Sequence, residues 1–197
     1  MSDEETHYNP HYYYSDMENV LIMTVLCHDF KSIPELEYKI ESNFDNPDHF
    51  YPIDETDYNL RLETLNTVRR IRSYICCSLF LQGQYLDVVQ KVFYFNSIDN
   101  EFLNISQWNS CNNLFYQDEF YSLVLISALL AIPLNKCKIF TQSTDVQFLF
   151  NNFPLAKVMF DLLINTNFKK FFNIWTKKLH PIVQRNFVVG PTLDNIE

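Results

Sequence analysis

Glycine is nearly absent from this sequence, whose 197 residues include only Gly83 and Gly190. Phosphate-binding loops of the G-x-x-x-x-G-K-[ST] and G-x-G-x-x-G types need several glycines close together, because only glycine lets the backbone approach a pyrophosphate. Two distant glycines therefore exclude both loops. Tight turns between β-strands also favour glycine. Its scarcity here favours helices over strands, and we predict an all-α fold.

Long apolar runs and targeting signals are missing as well. The longest apolar run, at residues 123–134, contains Ser127 and ends near Pro133, whereas a membrane span needs about 18 or more consecutive apolar residues. The first residues (MSDEE) are acidic, where a secretory or mitochondrial signal would be basic. We therefore expect an intracellular protein with no membrane partner.

Motifs for metal binding and catalysis do not occur in the sequence: H-E-x-x-H, C-x-x-C and G-x-S-x-G are all absent. The cysteines are odd in number and include the adjacent Cys76 and Cys77, whose geometry disfavours a mutual bridge. We expect reduced, buried thiols. Cys27 and His28 are neighbours in sequence, and neighbours on a helix point in different directions. We predict no catalytic, cofactor-binding or metal-binding residue, and hence no enzyme.

Charge is distributed unevenly along the chain. Residues 1–57 hold fourteen Asp and Glu against two Lys, a net −12, so the total of −9 leaves +3 for the rest. Residues 162–193 contain no acid. Such polarity suggests a charged partner or an end-to-end contact, but we favour the simpler interpretation that the lysines solvate the outer face of a helix. The candidate partner-contacting basic face consists of Arg69, Arg70, Lys169, Lys170, Lys177 and Lys178.

Apolar side chains recur at helical spacing over most of the chain. Residues 1–15 lack this periodicity, and we expect a disordered arm there. Residues 16–190 are predicted to form a helical-repeat domain, followed by a tail at 191–197. Within the domain, helices are predicted at about 17–30, 33–40, 60–82, from 85 onward, 106–111, 118–132, 144–150, from 154 onward and 168–179.

A turn between two of these helices has the pattern of a helical hairpin. Gly83 permits the left-handed conformation that ends a helix. Tyr85 follows it, as in tetratricopeptide-like hairpins, where an aromatic side chain after the glycine wedges between the two helices. We assign Gly83 and Tyr85 to a structural hairpin turn. The elements are expected to form a right-handed array of antiparallel hairpins.

The last predicted helix carries the most strongly amphipathic pattern in the chain. Phe168, Phe171, Phe172, Trp175 and Leu179 recur at intervals of three and four residues. We interpret this stripe as core rather than as a platform for stacking bases. The net charge of −9 also disfavours nucleic acid, and only a weak RNA contact through the basic clusters stays open.

Four segments resemble the PCI-domain family, the module shared by the proteasome lid, the COP-nine signalosome and translation initiation factor three. Segment 78–87 (SLFLQGQYLD) is similar to the helical-repeat turn of these proteins. Segments 27–38 (CHDFKSIPELEY), 119–134 and 162–175 (LLINTNFKKFFNIW) resemble the signalosome members, in particular the subunit-eleven type related to signalosome subunit one and the lid's Rpn-seven subunit. The resemblance spans about residues 17–191.

The resemblance implies a scaffold built from PCI N-terminal helical repeats. Its partners would be other signalosome or PCI subunits, in the cytoplasm and nucleus. The complex removes the modifier Nedd-eight or Rub-one from cullins with a zinc metalloprotease held by a different subunit, so no catalytic residue, cofactor or metal is implied here. The alternative is a PCI adaptor of translation initiation factor three with weak RNA contact, which needs the clusters around Arg69 and Lys177 to be exposed together.

One feature of the family pattern is not found in this sequence. In the family a winged helix follows the phenylalanine-rich helix, yet the sequence ends at Glu197, soon after that helix. We expect the winged helix to be missing, because the sequence is a fragment, an early-terminated product or a member of a lineage that lost it. Assembly through winged-helix edges would then be in doubt.

Overall fold

A computed structural model describes residues 10–44, 58–104 and 114–195 of the chain. Helices and the turns between them make up these residues, and no strand occurs among them, which confirms the all-α prediction for this part of the chain. No helix within the three described ranges is long and apolar enough to cross a membrane. Residues 1–9, 45–57, 105–113 and 196–197 lie outside the description, and the helix predicted at 106–111 falls among them.

The chain divides into two compact units, residues 1–78 and 79–197. The first unit contains α1 (Pro10–Leu26), α2 (Ile33–Phe44) and most of α3 (Tyr58–Leu81), and α1 packs against α2. In α3 every residue from 67 to 78 is buried. A helix that is buried on all sides is internal, so this part of α3 is not a surface helix with one apolar stripe.

The start of α1 corrects the predicted arm. The helix begins at Pro10 rather than near Met17, so residues 10–15 are helical. Proline suits a first turn, where its missing N–H would be unpaired in any case. Tyr14 is buried, and the Asn43 side chain of α2 donates a 2.6 Å hydrogen bond to the Tyr13 hydroxyl. These tyrosines therefore pack onto the unit, although their pattern resembles a loose segment.

The described residues of the second unit form six longer helices and a more irregular C-terminal stretch. The elements are α4 (Tyr85–Ile98), α5 (Gln117–Ala131), α6 (Leu134–Phe140), α7 (Thr144–Asn152), α8 (Pro154–Ile164), α9 (Phe168–Ile174), a π-helical turn (Trp175–Leu179), α10 (His180–Gln184) and a 3₁₀ helix (Gly190–Asn195). Helix α4 packs against α5, and α8 packs against α5, α6, α7 and α9.

Phenylalanine rings hold the interior of the second unit together. The Phe102 ring lies 5.6 Å from that of Phe95 and 6.0 Å from that of Phe120, and both pairs meet edge to face. Around Phe160, the rings of Phe140 and Phe150 lie at 5.5 and 5.9 Å. Such pairs each contribute about 0.5–1.5 kcal/mol beyond the area they bury. The abundant phenylalanines thus join neighbouring helices of this unit.

Gly83 ends α3 with a left-handed residue. Its φ is +74°, its N–H donates to the Phe80 carbonyl at 2.9 Å, and the Gln84 N–H donates to the Leu79 carbonyl at 2.9 Å. These two bonds define a Schellman motif, which satisfies carbonyls that the helix end would leave without a partner. No atom lies within 4 Å of where a β-carbon would be. Only the backbone conformation therefore requires glycine here.

Two other helices end in the same way without glycine. His28 follows α1 with φ +57°, and Thr166 follows α8 with φ +55°. After α8, the Asn167 N–H donates to the Leu162 carbonyl at 2.8 Å, which reproduces the longer bond of the motif. A β-branched residue is strained in the left-handed region. Thr166 therefore holds strain at the corner between α8 and α9.

We expect Thr166→Gly to raise the free energy of unfolding by about 0.5–1 kcal/mol, because glycine relieves left-handed strain of about 1–2 kcal/mol at some cost in unfolded-chain entropy. Thr166 is exposed, so little packing is lost. Its neighbour Asn165 has φ −85°, and Asn165→Gly should instead destabilise. Urea unfolding followed by circular dichroism measures both variants. A destabilised Thr166→Gly would refute strain at this turn.

Candidate functional site

The predicted hairpin turn places two aromatic rings against each other. Tyr85 opens α4, and its ring lies 5.4 Å from the Phe80 ring of α3 at an angle of 70°. With Gly83 between them, the end of α3 and the start of α4 are joined by a left-handed residue and an edge-to-face aromatic pair. These contacts support Gly83 and Tyr85 as structural turn residues.

The structure does not place Arg69 and Arg70 on an exposed face, which corrects that part of the predicted basic face. Their exposed fractions are only 6% and 8%. The Arg70 guanidinium binds the Glu18 carboxylate of α1 through Nε at 2.6 Å and Nη2 at 2.9 Å. Tyr74 donates to the same carboxylate at 3.2 Å, and the Thr67 hydroxyl accepts from Arg70 Nη2 at 2.9 Å. Arg70 therefore belongs to a buried network inside the first unit.

Glu18 compensates the charge of Arg70 inside the protein. Burial by itself lowers the pKa of the guanidinium, but the hydrogen bond and negative charge of Glu18 outweigh it and raise that pKa above its ordinary value. The Arg72 guanidinium also binds a carboxylate, that of Glu41 in α2, at 2.8 and 3.0 Å. The two arginines thus tie α3 to both other helices of the unit.

The four lysines of the predicted basic face have a different environment. Lys169 and Lys170 lie in α9, Lys177 and Lys178 lie in the π-helical turn that follows, and all four are exposed. None of them forms an ion pair with a described residue. The exposed part of the predicted face is therefore confined to one continuous helical segment of the second unit.

The aromatic stripe of that segment is only partly core, which corrects the prediction that it is buried. Phe171 and Leu179 are buried, whereas Phe168 is 45% and Phe172 61% exposed. The helices that pack against this segment leave these two side chains open to solvent. Phe172 lines a surface groove of about 490 Å³, whose lining also includes Leu130, Leu163, Phe171, Trp175 and Thr176.

The π-helical turn has a local cause in Pro181. Proline has no N–H to donate, and in a regular α-helix its ring would collide with the carbonyl four residues earlier. The chain widens just before it, and the His180 N–H donates to the Trp175 carbonyl, five residues back. Widened turns of this kind occur frequently at functional sites. Here the turn contributes Trp175 and Thr176 to the lining of the groove.

Arg185, the fifth basic residue of the stretch 162–193, is neutralised within the unit. Its Nε donates to Glu119 of α5 at 2.8 Å, and its Nη2 donates to Asp118 at 2.5 Å. The hydrogen bond with Glu119 is the main reason that the pKa of Arg185 lies above its ordinary value. The unpaired positive charge of this stretch therefore belongs to the four lysines beside the groove.

Glu119 and Asn186 together hold the C-terminal stretch against α5. The Asn186 amide donates to Glu119 Oε2 at 2.9 Å and to the Leu114 carbonyl at 2.8 Å, and Oε2 also accepts the Tyr116 N–H at 3.0 Å. A β-carbon on Gly190 would lie 2.5 Å from the Gln184 carbonyl oxygen. Glycine is therefore required where the chain returns close to the end of α10.

Cysteines and metal-ligating groups show no arrangement with evident chemistry in the described ranges. Cys76, Cys77 and Cys137 are buried, whereas Cys27 is exposed, which corrects its predicted burial. Burial raises the pKa of the Cys77 thiol far above its ordinary value. No group of three or more His, Cys, Asp or Glu residues in residues 10–44, 58–104 and 114–195 could hold a metal ion.

The described residues thus define an all-helical protein whose candidate site is an apolar groove beside unpaired lysines. A family model, the CSN11 N-terminal domain, matches residues 2–192. The chain belongs to this family. No solved structure matches it significantly.

Two curated relatives match most of the chain. The Cop9 signalosome complex subunit 11 of Saccharomyces cerevisiae is 30% identical over 185 residues, which are 91% of this chain and 42% of that protein. The COP9 signalosome complex subunit 11 of Candida glabrata is 22% identical over 188 residues, or 93% of this chain and 41% of that protein. The chain thus spans about two fifths of the length of these relatives.

We expect Arg70→Met to lower the free energy of unfolding by about 3–5 kcal/mol, because it leaves Glu18 buried without its partner. Chemical denaturation followed by circular dichroism measures the change. Lys169→Met is the matched control and should change stability by less than about 0.5 kcal/mol. In the double variant Arg70→Met with Glu18→Leu, the loss should be smaller than the sum of the two single losses. Additive losses would contradict coupling within the buried pair.

Native cysteine labelling should distinguish the exposed thiol from the buried ones. At pH 8 we expect iodoacetamide to modify Cys27 at least about tenfold faster than Cys77, since a raised pKa means less of the reactive thiolate and burial blocks access. Mass spectrometry of digested protein measures each site over time. In denaturant the two rates should become similar. Equal rates in the native protein would contradict the burial of Cys77.

Proposed function

We propose that this protein is a non-catalytic structural subunit of a COP-nine signalosome-like complex, which supports the removal of Nedd-eight or Rub-one from cullins. The observation that carries the proposal is the match of residues 2–192 to the CSN11 N-terminal domain. Both curated relatives are named as subunits of the signalosome complex. Other signalosome subunits are the proposed partners, in the cytoplasm and nucleus.

A scaffold role requires surfaces that contact other proteins rather than a reactive centre. The exposed side of α9 offers such a surface, because large apolar residues there are left open to solvent beside unpaired lysines. Exposed apolar patches with a polar rim are typical of protein contact sites. The isopeptide-cleaving chemistry is assigned to a different subunit of the complex.

The proposed architecture is a right-handed array of antiparallel helical hairpins. The turn at Gly83 and Tyr85 supports it, as do the pairs formed by α4 with α5 and by α7 with α8, which pack as neighbours. Arrays of this kind contact their partners along extended surfaces. We regard the array as the frame that presents α9 to another subunit.

The alternative role in translation initiation with RNA contact is not favoured. It needs the cluster around Arg69 to be exposed, yet Arg69, Arg70 and Arg72 are buried, and Arg70 and Arg72 are paired with carboxylates. Phosphate contacts depend on accessible cations. Of the two clusters that this role needs, only the one around Lys177 is exposed.

Affinity purification from the organism's own cells tests the proposal. The tagged full chain should co-purify other signalosome subunits, and deletion of its gene should increase the fraction of cullin that carries the ubiquitin-like modifier, measured by the mobility of cullin on immunoblots. A strain that expresses the tag on an unrelated helical protein is the control. Reintroduction of the chain should restore the cullin pattern. The signalosome role would be rejected if no signalosome subunit co-purified and the modified fraction of cullin did not change.

A further inference from the structure

The groove beside α9 leaves apolar side chains exposed that the rest of the unit does not cover. Leu130 of α5 is 46% exposed and Phe172 of α9 61% exposed, and Leu163 of α8 lines the same groove. Its volume of about 490 Å³ is large enough for several side chains. Three helices of one unit form its walls, so the groove is preformed. It can receive an apolar ridge such as one face of a helix.

Unpaired positive charge lies next to this groove. Lys169 precedes Phe172 by three residues in α9, and residues at this spacing share a helix face. Lys170, Lys177 and Lys178 lie on the same helical segment but outside the lining of the groove. Four other basic side chains, Lys39, Arg70, Arg72 and Arg185, are matched by carboxylates. The lysines of α9 and the π-helical turn form no ion pair with a described residue.

We propose that this groove docks an amphipathic helix of a partner subunit, with large apolar residues on one face and acidic residues flanking them. The proposal rests on the signalosome role proposed above and names the surface and the chemistry of the contact. Charge complementarity carries it, because a flanking carboxylate would meet Lys169 while the apolar face covers Leu130 and Phe172, and the other lysines of the segment add to the local positive potential. The lysines then serve in recognition rather than in solvation alone.

The chemistry of the groove argues against two other occupants. Nucleic acid would stack its bases on flat, accessible aromatic platforms, whereas the aromatic side chains of this groove face leucines of α5 and α8 across a concave surface. A second copy of this chain would bring the same surface to the groove in a symmetric contact. Residues 162–193 contain no acid, so two such surfaces would repel each other.

A synthetic peptide provides the direct test. The probe is an amphipathic helix with Leu and Phe along one face and Glu on its flanks, labelled for fluorescence anisotropy with the full chain. Phe172→Glu and the double variant Lys169→Glu with Lys177→Glu should each weaken its binding by at least about tenfold. Matched controls on α6, Ile139→Glu and Lys136→Glu, alter exposed side chains that do not line the groove. They should leave binding unchanged.

Further binding measurements distinguish between the possible occupants of the groove. The same peptide with Lys in place of Glu should bind at least about tenfold more weakly, and added salt should weaken binding of the acidic peptide. Equal binding of both peptides, or equal binding by groove and control variants, would overturn the proposal. Displacement of the peptide by a single-stranded RNA oligonucleotide that binds more tightly would also overturn the proposal. A dimer, detected by light scattering, that Phe172→Glu converts to monomer would overturn it as well. Thermal unfolding confirms that each variant folds.

Purification from cells distinguishes failure of this inference from failure of the signalosome role. If the wild-type chain co-purifies signalosome subunits and Phe172→Glu loses at least one of them while Ile139→Glu retains all, the groove is supported. If Phe172→Glu retains every subunit, the groove proposal fails and the signalosome role stands. If the wild type retains none, the signalosome role fails, and the peptide measurements alone decide whether the groove binds an acidic helix.

Discussion

Buried negative charge is the constraint on which both units depend. Among the residues that the structure describes, the first unit buries Glu18 and the second buries Glu119. A carboxylate in an apolar interior is costly unless charged or polar donors surround it. Arg70 supplies those donors in the first unit from 52 positions away, and Arg185 with Asn186 supplies them in the second from 66 and 67 positions away. These bonds fix α1 against α3 and the C-terminal stretch against α5. Apolar packing alone would leave both contacts free to slide.

The same constraint separates the roles of arginine and lysine. The planar guanidinium can bind both oxygens of a carboxylate at once, as in the pairs of Arg70 and Arg72, whereas the lysine ammonium is strongly hydrated and is more readily kept in water. In the stretch from 162 to 193 the one arginine pairs with the buried Glu119 and with Asp118, whereas the lysines form no ion pair with a described residue. Pairing with these carboxylates thus determines which positive charges remain available to a partner. In the basic stretch of sequence, the available charges are those of the exposed lysines.

Sequence periodicity could predict most helices, the turn at Gly83 and the exposed lysines, because these depend on neighbours a few residues apart. It could not predict the burial of Arg70 or the start of α1 at Pro10. Both depend on a partner from another helix, and the periodic pattern counts a charged residue such as Glu18 as surface. The exposure of Phe172 was also missed, since a stripe at helical spacing does not reveal how much neighbouring helix is available to cover it. The groove needs leucines from α5 that lie about forty residues upstream in the sequence.

The two glycines described above differ in how they restrict the evolution of the chain. Gly83 is held by a backbone angle in open space, so replacement costs a graded amount, roughly 1 kcal/mol, that a stabilising change elsewhere can offset. Gly190 faces a carbonyl oxygen at 2.5 Å, and every side chain has the β-carbon that would collide with it. Position 83 can therefore drift among residues that tolerate a left-handed angle, as positions 28 and 166 already illustrate. At position 190 no other residue fits, so this glycine can be replaced only if the loop that Asn186 anchors changes its path as well.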